Sequence, residues 1–132
     1  MSLHRHNAAL LTVSTAVATE QTGSTYAVLP ADGDGVADYS QSFRVFLSAS
    51  QTGGATSPTT SVKVETSTDG TNWVEAATST QLTADGGLSE LKAITALGPL
   101  VRARTILGGD TKPSHTAKVV LVSNGAFRIK AT

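Results

Sequence analysis

Apolar residues in this chain recur at every second position, and that spacing constrains the fold more than any other feature of the sequence. In Ser42–Ser50, Phe43, Val45, Leu47 and Ala49 fall on one side, while Arg44, Phe46 and Ser48 fall on the other. A period of two belongs to a β-strand, whose successive side chains point to opposite faces. No window of helical length carries apolar residues at i, i+3, i+4 and i+7 without Thr, Ser or Gly interrupting it. Strands are predicted at Leu10–Thr19, Thr25–Leu29, Ser42–Ser50, Val62–Thr66, Trp73–Ala76, Leu88–Ile94, Leu100–Leu107, Thr116–Ser123 and Ala126–Lys130. The turns between them carry their own signatures: Asp69-Gly70, Asp85-Gly86 and Asn124-Gly125 are pairs that suit a tight hairpin.

About nine short strands at this spacing predict an all-β chain: a single antiparallel β-sandwich, jelly-roll or immunoglobulin-like. Residues 1–20 form an extended N-terminal arm or a first strand, and 21–132 form the sandwich domain. The predicted core is Phe43, Val45, Leu47, Val62, Val64, Trp73, Val101, Ala103, Val119, Leu121, Phe127 and Ile129. Trp73, with the largest side chain, is expected to anchor it.

Composition then removes function classes. At 132 residues the chain is one domain, and with no cysteine it has no disulfide framework, thiol nucleophile or cysteine zinc site. Only 15% of residues are charged, so Thr, Ser and Gly carry the polarity. A pI near 6.8 with one Trp, two Tyr and three Phe argues against nucleic acid, which selects a clustered basic face and stacking platforms. No stretch approaches the roughly 20 apolar residues of a membrane-spanning helix. His4-Arg5-His6 before the apolar run from Ala8 imitates a secretory leader, but Asn7, Thr12, Ser14 and Thr15 dilute it.

The chain holds no nucleophile elbow, phosphate loop, dinucleotide fingerprint or His-Glu-x-x-His motif, so no enzyme, cofactor or small-molecule substrate is expected. His115 stands alone at the start of a strand. The acidic loop Asp32-Gly33-Asp34-Gly35-Val36-Ala37-Asp38 offers Asp32, Asp34 and Asp38 as a loose calcium site. It does not follow the helix–loop–helix pattern, because the glycine falls at the fourth position and no bidentate Glu follows. Tight surface turns account for the same Asp-Gly pairs.

Charge is divided along the chain. Residues 1–88 hold three basic side chains against eight acids, and residues 89–132 hold seven against two. Such a division lets an acidic surface of one copy meet a basic surface of the next, which sets register and partner choice.

The run Val62-Lys63-Val64-Glu65-Thr66-Ser67-Thr68-Asp69-Gly70-Thr71-Asn72-Trp73, followed by Leu97-Gly98-Pro99-Leu100-Val101-Arg102-Ala103-Arg104, resembles two groups of proteins. One is the small β-sandwich structural proteins of tailed-phage particles, with a Ser-x-Asp-Gly-x-x-Trp hairpin and a later strand ending in Arg-x-Arg. The other is the discoidin-like, galactose-binding sandwich. The likeness spans residues 60–107. The first implies a virion component that decorates or cements the head, or serves in the head–tail or tail assembly, with copies of itself and shell or tail proteins as partners. The second implies a secreted or appended glycan- or cell-surface-binding module with loops 31–38, 51–60 and 108–115 as its site.

The expected assembly contacts are His4, Arg5, Leu10 and Leu11 on the arm, and Arg102, Arg104, Arg128 and Lys130 on the sheet faces. The arginines are expected to meet acids such as Asp32, Asp34 and Asp38 of another copy or of a shell protein. The structural core residues expected to hold this scaffold are Trp73, Phe43, Val64 and Phe127.

Overall fold

The computed structural model describes residues 5–30, 42–53, 57–94 and 97–132. The described residues form eight strands: β1 (Arg5–Val17), β2 (Tyr26–Pro30), β3 (Phe43–Thr52), β4 (Thr59–Ser67), β5 (Val74–Thr78), β6 (Gly86–Ala93), β7 (Leu100–Gly108) and β8 (Ser114–Ala131). Among the described residues there is no helix, as the period of two requires. Every pairing is antiparallel, in the order β5-β4-β7-β2-β8-β3-β6, with β1 added along β8. The strands form one sheet that curls nearly into a barrel. This single curled sheet replaces the expected pair of stacked layers, and the physical reason lies in β8.

The sequence predicted two strands joined by a hairpin at Asn124-Gly125, but β8 runs straight through that pair. Its length serves three partners: β1 along 115–127, β3 along 114–123 and β2 along 127–131. Asn124 turns its side chain outward to the neighbouring strand instead of closing a turn, its Oδ1 accepting the Ser42 amide at 3.0 Å. The Gly125 amide bonds back to the Ser123 hydroxyl. Pairing on both sides of the Asn-Gly pair outweighs its local turn preference, so the two strands predicted there are one.

The core lies inside the curl and follows the alternation. Val45, Leu47, Val62, Val64, Val101, Ala103, Val119, Leu121 and Phe127 are fully buried, and Phe43 meets Phe127 edge-on at 5.5 Å between ring centres. Ile129 packs against this core only partly buried. Trp73 is not part of it. The tryptophan sits half-buried on the outer side of the sheet, and the interior is filled by aliphatic side chains and the two phenylalanines.

β1 is likewise no free arm. It pairs with β8 from Arg5 opposite Phe127 to Val17 opposite His115, and it sends Ala8, Leu10 and Val13 into the core. Leu10 is therefore a core residue and Leu11 packs against the core, which corrects their expected role as contacts to a neighbour.

Gly23 holds β1 close to β7. Its amide donates to Ala103 O at 2.8 Å, and a Cβ placed there would stand 2.6 Å from the Leu10 carbonyl oxygen. Both obstacles are backbone, so a side chain can enter only by prying strands apart. Gly23→Ala is expected to cost about 2 kcal/mol and to lower the melting temperature by about 8 °C, read by calorimetry. An unchanged melt would show that β1 gives way freely.

Candidate interaction surface

The hairpin β4–β5 builds one side of the molecule. Asp69 is its hub: Oδ1 accepts the amides of Thr71 and Asn72, both at 2.8 Å, and the Ser67 hydroxyl at 3.0 Å, while Oδ2 accepts the Asn72 side-chain amide. Ser67 Oγ accepts the Gly70 amide in turn, and Gly70 takes φ +77°, the left-handed region open to glycine. The Ser-x-Asp-Gly-x-x-Trp spacing is thus the spacing of a hydrogen-bonded loop.

These donors, the Asn72 amide first, hold the Asp69 carboxyl well below the usual carboxylate range. Because the folded value is the lower one, the stabilisation is complete above the unfolded value of about 3.9 and is lost as the pH falls toward the folded value. Wild type is expected to lose thermal stability more steeply below pH 4 than Asp69→Asn. Parallel curves in a pH series of melts would remove Asp69 from the acid response.

The loop delivers Trp73 to β7, where the Arg102 guanidinium lies 4.2 Å from the ring centre. Arg102 Nε also donates to Glu65 Oε1 at 2.9 Å. Arg104 Nε is 3.2 Å from the same oxygen without the alignment of a hydrogen bond, and Lys63 Nζ lies 3.9 Å from Glu65 and from Glu75. Register explains the cluster: Lys63 is opposite Arg104, and Glu65 is opposite Arg102. With its side chain 8% exposed, Glu65 is sealed beneath three cations. The arginines read from the sequence as contacts to another copy are drawn onto Glu65 of their own chain.

The remaining expected contacts scatter. Arg128 donates to Pro30 O at 3.1 Å, which ties β8 to β2, and Lys130 is exposed near the end of β8. Arg5 occupies the first position of β1. His4, Asp32, Asp34 and Asp38 lie outside the described residues, and among the described residues no group of acids and histidines is arranged to hold a metal.

The outer face at the β8–β3–β6 end of the sheet carries a second surface, one that the sequence did not assemble. Strands β1, β8, β3 and β6 lie side by side, and register aligns their outward residues into rows. One row reads Ala9, Val120, Phe46, Leu91. Phe46 is 37% exposed and Leu91 is 55% exposed. The row above contains Val122, Arg44 and Ala93, and the row below contains Thr12, Lys118, Ser48 and Ser89. Arg44 and Lys118 are exposed and have no partner among the described residues. The three rows contain no carboxylate.

Below the apolar row the face sinks into an open trough of about 630 Å³ bordered by Thr12, Ser14, Ser48, Ser50, Ser89, Thr116 and Lys118. Gly87 leaves its floor low, and the Ser50 and Thr116 hydroxyls bond to each other across it. The trough is lined by strand residues, with Ser50 and Thr116 next in sequence to the loops 51–60 and 108–115 that the glycan-binding likeness pointed to, while loop 31–38 lies outside the described residues. Comparisons with protein-family models, with curated proteins and with solved structures returned no match.

Proposed function

We propose that this protein is a non-enzymatic structural subunit of a phage or phage-like particle, a head decoration or cement protein or a small head–tail or tail component, acting through contacts of its sheet faces. The observation that carries this reading is the apolar row Ala9–Val120–Phe46–Leu91, open to solvent on a four-stranded face and flanked by Arg44 and Lys118. Contiguous apolar surface with a polar rim is what a protein–protein contact uses. A particle repeats such a contact many times, so each one works while weak. The phage assignment is supported by the two motif segments, the Trp73 hairpin and the Arg-x-Arg strand, which meet through the Trp73–Arg102 stack.

Density-gradient fractionation of native lysate, with mass spectrometry of each fraction, tests this. Co-migration at fixed stoichiometry with a shell or tail protein is expected. Recovery only as a free 13.5 kDa chain would overturn the reading. The second reading, a glycan- or cell-surface-binding module, is favoured by the hydroxyl-lined trough, whose Ser, Thr and Lys side chains suit the hydroxyls of a sugar. A glycan array separates the two: saturable, selective sugar binding by the free chain would favour the module.

A further inference from the structure

Resting on the assembly reading, the geometry points to a second copy of this chain as the occupant of the β1–β8–β3–β6 face, bound head-to-tail through the start of β5. Three large hydrophobic side chains are notably exposed among the described residues: Phe46, Leu91 and Val74. Phe46 and Leu91 are opposite each other on β3 and β6. Val74, 64% exposed, is the first residue of β5, a strand not paired with β3 or β6.

Charge decides how these patches pair. The face carries Arg44 and Lys118 with no acid in its three rows, so stacking it on its own copy about a two-fold axis sets cations against cations. Beside Val74 the charge is reversed. Glu75 has its side chain 56% exposed and only a 3.9 Å contact to Lys63. Asp69, in the preceding loop, holds its charge well below neutral pH. Val74 therefore fits over the Phe46–Leu91 pair with Glu75 toward Arg44 or Lys118.

Face and corner are different patches on different strands, so the contact is heterologous and propagates into a ring or a filament. It needs no residue already committed to the core. Arg102 and Arg104 stay on Glu65, and the acidic partner comes from Glu75.

The test is sedimentation of the full chain up to about 1 mM, the range of a contact of roughly 4 kcal/mol. Wild type is expected to grow beyond the 13.5 kDa monomer and to shrink back with added salt. Leu91→Asp and Val74→Asp alter exposed positions, so both are expected to keep the wild-type melt while each weakens self-association at least about tenfold. The decisive sample is their mixture. One variant retains the corner and the other the face, so together they are expected to form a dimer that stops at one to one.

A wild-type chain that stays monomeric overturns the contact, as does a mixture that fails to pair. Loss of association in Leu91→Asp with none in Val74→Asp also overturns it, by showing that another patch fills the face. The gradient experiment reads the particle role separately. A chain that co-migrates with particles yet never self-associates keeps the assembly reading and loses this contact, and a self-associating chain found free does the reverse.

Discussion

A chain lacking residues 2–19 is expected to be unfolded rather than merely detached from its partners. Those residues contain the whole of β1, which pairs with β8 from Arg5–Phe127 to Val17–His115. Their loss takes Ala8, Leu10 and Val13 out of the core and leaves one edge of the longest strand without its ladder. Leu10 alone, 2% exposed, is worth about 3 kcal/mol as a Leu→Ala truncation. Removing the strand together with its hydrogen bonds exceeds the roughly 5–15 kcal/mol by which domains of this size are stable. Circular dichroism and a thermal melt check this: the expected result is loss of the strand signal and of any cooperative transition. A truncated chain that melted like wild type would return the segment to the status of an arm. The consequence for function is practical, because failure of the truncated chain to bind a particle would report unfolding, not the loss of a tether.

The strands were legible because alternation is a local property. Phe43, Val45, Leu47 and Ala49 face inward and Arg44 and Phe46 outward, as their spacing dictates. Trp73 was misjudged because size argues for burial, whereas its place is set by a loop that ends beside a β7 arginine from a distant part of the sequence. Asn124-Gly125 was misjudged because local turn chemistry is silent about β2 and β3, the strands that pair on either side of it.

The candidate surface was hidden for a related reason. Phe46 was readable as outward-facing, and so in principle was Leu91, yet nothing in either segment states that they are opposite each other. Register is a long-range quantity, and a slip of one residue would have sent Leu91 to the other side. Arg102 and Arg104 show the same limit from the other direction: two outward arginines look free until Glu65 is found opposite one of them.

Replacing His115 with Ala is expected to cost about 4 kcal/mol. The ring is 1% exposed at one end of the curled sheet. Nδ1 lies 2.8 Å from Val17 O, and since a carbonyl only accepts, Nδ1 carries the proton. Nε2 is 2.9 Å from the Thr105 hydroxyl, which accepts the Gln21 amide and so donates its own hydrogen to the ring. Opposite His115 on β3, the buried Gln51 accepts the Thr60 hydroxyl at 2.6 Å. These bonds tie together the end of β1, the segment after it, and strands β7 and β8, with β3 and β4 joined beside them. Alanine loses the ring's packing and strands Val17 O and Thr105 in a dry site, and both losses add. His115→Phe separates them, since it keeps the volume and removes only the bonds, and about 2 kcal/mol is expected for it. Urea unfolding of the three proteins gives both numbers. A phenylalanine variant as stable as wild type would show that the histidine is held for its shape alone. The expected graded loss would show that this end of the sheet is fastened by hydrogen bonds where the other strands rely on aliphatic packing.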